Sequence, residues 1–236
     1  MGRIAFIILR MNVLVIYYFS KICAFAKKDS KDYEGFHELL QNACKKVLKK
    51  GRITPVIEGI ENIPKKDGFM YYPNHQGLFD VLMFLVSSPR PFAFVIKKEA
   101  SKIILLKQII SATDSLAMDR SDLRQSIRVI NEVTEQVKTG RNFLIFAEGT
   151  RSKMGNKLND LKGGSFKAAC NAKCPIVPCA LVDSYRPFDE KGIKPMVVKL
   201  RYLEPIPYEE YKDMKSADLA KEVKRRIEEA IEDMTK

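Results

Sequence analysis

Short, bounded apolar runs recur along this chain, and segments of helical period separate them. Residues 56–60, 69–72, 92–96, 116–118, 143–146, 176–181 and 196–202 read as strands. Residues 33–50, 78–87, 99–110, 122–138, 165–171 and 216–234 place apolar side chains at helical spacing. A run such as Phe143-Leu144-Ile145-Phe146 is apolar throughout, which suits a strand covered on both faces. The alternation predicts an α/β fold: a mixed, largely parallel central sheet flanked by helices. At 236 residues the chain can bury one substantial core, and no internal repeat interrupts it. One domain over 31–236 is expected, preceded by an apolar segment over 1–30. Pro55, Pro205 and Pro207 mark boundaries. Ser121 is placed to cap the fourth helix and Gly140 to end it. Leu219, Val223, Ile227 and Ile231 form a packing stripe on the last helix.

Ligands of open α/β sheets gather at the carboxyl ends of strands. The run 69–72 is followed by Asn74-His75-Gln76-Gly77-Leu78-Phe79-Asp80, which holds one of only two histidines in the chain. On a single helix, residues five apart are rotated by about 140°. His75 and Asp80 can therefore meet only if His75 lies in the loop and Asp80 reaches back from the first helical turn. That arrangement occupies one ring nitrogen and frees the other for proton transfer. The alternative is a buried histidine capping a helix whose start is charged by Asp80.

The run 143–146 ends in Ala147-Glu148-Gly149-Thr150-Arg151. Arg151 offers planar, bidentate donors to a phosphate, and Gly149 would let backbone approach it. The alternative is a surface loop in which Glu148 and Arg151 pair. A nucleotide P-loop is excluded: five residues separate Gly149 from Gly155, Asn156 stands where lysine belongs, and Leu158 follows Lys157. Runs 92–96 and 116–118 deliver Lys97 and Arg120. Each cation alone reads as a solvated charge. As a set facing one base, they point to an anionic substrate whose neutral group loses a proton.

Those blocks resemble the glycerolipid acyltransferase family, most closely its 1-acylglycerol-3-phosphate acyltransferases. The resemblance rests on Asn74-His75 through Asp80, Ala117-Met118-Asp119-Arg120, Phe146 through Ser152, and Ile176-Val177-Pro178-Cys179-Ala180. They occur in the family's order from about Arg52 to Pro207. Lys97 and Lys162-Gly163-Gly164 also match family positions, while Pro73 stands where a small residue is more usual. The resemblance implies acyl transfer from acyl-coenzyme A or acyl-carrier protein to the sn-2 hydroxyl of a lysophospholipid. His75 would be the base and Asp80 its orienting acid. Asn74, Lys97, Arg120, Glu148, Gly149, Thr150, Arg151 and Lys162 would bind substrate. No metal and no tightly bound cofactor is expected; the acyl donor is a substrate. Glycerol-3-phosphate or another lysolipid as acceptor, and a basic lipid-binding protein without turnover, stay open. The groups that would stabilise an oxyanion are not legible.

Lysine and arginine number 41 against 29 acids, a net charge of +12. That balance favours anionic membrane lipid, coenzyme phosphates or an acidic carrier protein. Nucleic acid ranks behind lipid, because no aromatic-interleaved basic strand is present and the chain lacks tryptophan. Arg10, Asn12 and Lys21 interrupt the N-terminal apolar segment, where a spanning helix wants about 20 uninterrupted apolar residues. An interfacial segment or shallow hairpin at the cytoplasmic face of a membrane is expected; a secretory signal ending near Ala24-Phe25-Ala26 is the alternative. The helix 33–50 is amphipathic, with Lys45, Lys46, Lys49 and Lys50 opposite its apolar side, and is read as packing on the core with its basic edge near anionic lipid. His37 has no carboxylate at catalytic spacing. The five cysteines form no Cys-x-x-Cys pair and read as structural thiols of a reducing compartment.

Overall fold

The computed structural model describes residues 2–27 and 31–236. Helices α1 (Arg3–Met11), α2 (Val13–Ala26) and α3 (Tyr33–Gly51) lead into strand β1 (Ile53–Glu58). Then follow β2 (Met70–Pro73), α4 (Asp80–Ser87), β3 (Ala93–Lys97), α5 (Ile104–Thr113), β4 (Leu116–Met118) and α6 (Leu123–Lys138). The chain continues through β5 (Phe143–Leu144), α7 (Gly163–Ala172), β6 (Ile176–Val182) and the short α8 (Arg186–Asp189). It closes with β7 (Met196–Tyr202), the short α9 (Tyr208–Tyr211) and α10 (Ser216–Thr235).

The strands form one seven-stranded sheet in the order β1-β7-β6-β2-β5-β3-β4. From β6 to β4 every pairing is parallel, while β7 meets β6 antiparallel and carries β1 alongside it. The carboxyl ends of β6, β2, β5, β3 and β4 thus open on one edge. Alternation along β2 feeds two cores. Met70 and Tyr72 face α6, α7 and α10, where Leu219, Val223, Ile227 and Ile231 are buried. Phe69 and Tyr71 face the opposite layer, with Phe36 and Leu40 of α3 and Met83 and Phe84 of α4.

Several boundaries differ from expectation for local reasons. The first strand ends at Glu58, because Gly59 turns with φ +71° and Ile60 enters a single 3-10 turn. A Cβ at Gly59 would run into the Tyr202 carbonyl. Helix α5 begins at Ile104, since Ala100–Lys102 forms a separate 3-10 turn. Asp122, rather than Ser121, caps α6 by accepting from Gln125 N at 3.0 Å. Ser121 is drawn back to Asp119, its hydroxyl donating at 2.6 Å. Gly140 follows the helix end with φ +92°, a conformation that glycine adopts freely.

No single helix among the described residues is long and apolar enough to cross a membrane; α1 and α2 reach that length only as a pair, bent by 88°. The expected boundary after residue 30 lies at the edge of residues outside the description. Helix α1 is fastened to the domain. The buried Arg3 guanidinium donates to Gly51 O at 2.7 Å and to Lys194 O at 2.9 Å. The first contact satisfies a carbonyl at the end of α3, where a cation also suits the helix dipole. Arg3→Ala leaves both carbonyls without this donor, worth about 1–3 kcal/mol. Amide exchange within α1 is expected to quicken at least about tenfold, with exchange in β6 unchanged.

Candidate functional site

The turn after β2 is built around one carboxylate. Asp80 is the first residue of α4 and has no exposure to water. Its Oδ2 accepts from Gln76 N at 2.7 Å, Gly77 N at 3.0 Å and His75 Nδ1 at 2.8 Å. Its Oδ1 accepts from Gly77 N at 3.1 Å and from the Ser184 hydroxyl at 2.6 Å. The acid thus satisfies two backbone donors of the loop ahead of its helix and holds the ring that precedes it. Gly77 sits close against the neighbouring chain: a Cβ would stand 3.1 Å from Tyr185 Cα, so that backbone would have to give by a few tenths of an ångström.

A carboxylate surrounded by donors can only accept, so Nδ1 of His75 carries a proton, and in the neutral ring Nε2 presents the lone pair. Nε2 makes no hydrogen bond among the described residues. Phe146 lies under the ring, with centroids 4.1 Å apart and planes 24° from parallel. The backbone of His75 is fixed as well: its N–H donates to Glu148 Oε1 at 2.6 Å and its carbonyl accepts from Ser152 N at 3.0 Å.

Two residues expected to touch substrate are hydrogen-bonded to backbone here. Both oxygens of the buried Glu148 are occupied by backbone N–H groups, those of His75 and of Asn159 at 2.8 Å. Asn74 pins its loop to β6, donating to Leu181 O at 3.0 Å and accepting from Leu181 N at 2.7 Å. Gln76 adds a third tie, donating to Leu181 O and Asn156 Oδ1 and accepting from Ser184 N at 2.7 Å. Every side-chain nitrogen and oxygen of Glu148 and Asn74 is thus engaged with backbone.

The cations are spread along the sheet edge. Strand β5 lies beside β2, and β3 and β4 lie two and three strands away, about 10 and 14 Å at ordinary strand spacing. Lys97, at the end of β3, is exposed and 3.3 Å from Glu99. Arg120 follows β4, is exposed, and makes no ion pair among the described residues. Arg151 is 3.6 Å from Asp189 and does not pair with Glu148; Thr150 is exposed. Lys162 lies against the Gly149 turn: a Cβ at Gly149 would meet its Nζ at 2.9 Å, and φ at Gly149 is +75°. No hydrogen bond or ion pair joins Lys97, Arg120, Thr150 or Arg151 to the His75–Asp80 pair among the described residues.

Ser184, Gln76, Asn156 and Phe146 had gone unassigned in the sequence. Phe146 closes the apolar run 143–146, and Gln76 and Ser184 follow the runs 69–72 and 176–181 within four residues. His37 is buried, its Nε2 2.9 Å from Ser88 O, and burial lowers its pKa. No group of three or more metal-ligating side chains occurs among the described residues.

A family model described as "Acyltransferase" matches residues 54–182. A chloroplastic 1-acyl-sn-glycerol-3-phosphate acyltransferase of Brassica napus is 31% identical over 140 residues, 58% of this chain and 40% of its own length. A 1-acyl-sn-glycerol-3-phosphate acyltransferase of Helicobacter pylori is 27% identical over 128 residues, 54% of each chain. The match thus spans about half or less of these relatives' length. The crystal structure of a 1-acyl-sn-glycerophosphate acyltransferase from Thermotoga maritima superposes with a TM-score of 0.77, covering 98% of this chain and 96% of that one. At 22% identity that likeness speaks for the fold: a largely parallel α/β sheet between helical layers. With the family model spanning more than half of its residues, His75 through Asp80 included, this chain belongs to the acyltransferase family.

Proposed function

We propose that this chain transfers a fatty acyl group from acyl-coenzyme A or acyl-carrier protein to the sn-2 hydroxyl of 1-acylglycerol-3-phosphate, forming phosphatidic acid. One observation carries the reading: Nδ1–H of His75 is held 2.8 Å from a buried carboxylate while Nε2 is left open. Nε2 takes the hydroxyl proton as the oxygen attacks the thioester carbonyl. The new oxygen–carbon bond forms, the carbon–sulfur bond breaks, and the imidazolium returns its proton to the thiolate. Asp80 orients the ring and stabilises its charged form. No protein nucleophile takes part. Burial pushes the Cys44 and Cys174 thiols up to about 12, far from thiolate character.

Lys162 and Arg151 grip the acceptor phosphate beside Thr150 and the Gly149 backbone, and Lys97 and Arg120 extend the cationic edge toward the donor. Asn74 and Glu148 act as positioning residues. Exposed Ile8, Leu9, Val13 and Ile16 of α1 and α2 rest on an anionic lipid surface at its cytoplasmic face.

The test is lysolipid-dependent thiol release in detergent, with each donor in turn. His75→Ala is expected to lose about 10²–10⁴-fold in kcat with unchanged circular dichroism; undiminished turnover would remove His75 from the chemistry. Ser184→Ala should lower kcat and leave KM nearly unchanged, with recovery in Ser184→Thr. Equal losses in both variants would make Ser184 a packing residue only.

Glu148 gives a test read through stability. Burial pushes its carboxyl above the usual range, and the N–H groups of His75 and Asn159 pull it part of the way back. Folded Glu148 therefore keeps its proton to higher pH than the unfolded chain does. Its contribution falls as pH rises from the unfolded value, about 4.3, to the raised one, and is level above that. In Glu148→Gln this slope disappears, and one backbone N–H faces an amide donor. Urea titrations across pH should show the slope only in the parent chain, and a loss of about 1–3 kcal/mol at neutral pH in the variant.

A further inference from the structure

Resting on the membrane-surface reading above, we infer that the start of α5 is a second membrane-insertion point, built to enter an anionic leaflet beside α2. The segment Lys102-Ile103-Ile104-Leu105-Leu106-Lys107 turns three adjacent apolar side chains to solvent: Ile103 is 57% exposed, Ile104 67% and Leu105 42%. A run of this kind, at the head of a helix that buries Ala112 and Thr113 further along, is not explained by packing within the chain. Lysines bracket it. Lys102 and Lys107 are exposed and make no ion pair among the described residues, whereas their neighbour Lys98 pairs with Asp119.

Three observations select an anionic lipid surface as the occupant. Lysines flanking an apolar centre can hold their ammonium groups among headgroups while the centre enters the acyl boundary. Helix α2, whose Val13, Ile16, Tyr17 and Phe19 are exposed, packs directly against α5, so the ridge prolongs an apolar face already present. A cleft of about 530 Å³ opens beside it, lined by Ser101, Lys102, Lys107, Ile110, Ser111 and Ala117, with room and charge for a phosphate headgroup. Because α5 begins just beyond β3, the ridge stands at the same sheet edge as His75.

The chain has no tryptophan, which gives a clean reporter. Ile104→Trp should shift its emission to the blue, and be quenched by brominated acyl chains, on vesicles of equal phosphatidylcholine and phosphatidylglycerol. Met214→Trp, at another exposed position, should do neither. The paired change Ile103→Ser with Ile104→Ser should weaken vesicle binding at least about tenfold. Lys102→Gln with Lys107→Gln should weaken it about fivefold per lysine on the anionic vesicles and little on phosphatidylcholine alone. Thiol release in detergent should be unchanged in all of them, which separates docking from the proposed chemistry. Binding that persists in the Ile103/Ile104 variant would leave membrane docking to α1 and α2 and overturn the ridge. So would loss of self-association or of carrier-protein binding in place of vesicle binding. A parent chain that binds neither vesicle overturns ridge and membrane reading alike.

Discussion

The turn at the carboxyl end of β2 is organised around the Asp80 carboxylate. A buried charge is tolerated only when its oxygens are surrounded by donors. Here these are two backbone N–H groups of its own turn, the Ser184 hydroxyl and the His75 ring. Three of the four come from the loop between β2 and α4, so the charge shapes that loop as much as the loop shelters the charge. The fourth ties the loop to the end of β6. Remove the acid and the turn loses its internal anchor together with the ring's orientation.

Strand order converts this local turn into a site. Strand β2 lies between β6 and β5, so residues at and beyond the ends of those strands hold the His75 loop from two sides, Leu181 and Ser184 through Asn74 and Asp80 on one and Glu148 on the other. Most polar atoms near the imidazole are engaged with backbone. The rigid part of the site is therefore saturated, and the groups left for a ligand are the cations and exposed side chains farther along the edge.

The sequence made much of this legible. Apolar runs located the parallel strands to within a few residues, because a strand covered on both faces has few polar positions to blur its limits. The five-residue offset between His75 and Asp80 required a loop followed by a helix start, and the chain takes that form. Ser184 was invisible because it lies 104 residues from its partner, and only strand adjacency brings the two together. The same ignorance of adjacency made Lys97 and Arg120 look gathered about the imidazole, when their strands lie two and three places from β2. The backbone partners of Asn74 and Glu148 were hidden for the same reason, since they lie 107 and 73 residues away in the chain. The exposed run at the start of α5 passed for part of an ordinary helix, since its register carries apolar residues on more than the core face.

The stacked ring of Phe146 has a consequence for the order of events. With one face of the imidazole covered and Nδ1 tied to the acid, a half-turn that exchanged the two nitrogens would have to displace a phenyl ring and break a charged hydrogen bond. In the proposed reaction the same nitrogen would accept the proton and give it back. An incoming alcohol and a departing sulfur would therefore share a single doorway, and the proton would travel only the short gap between them.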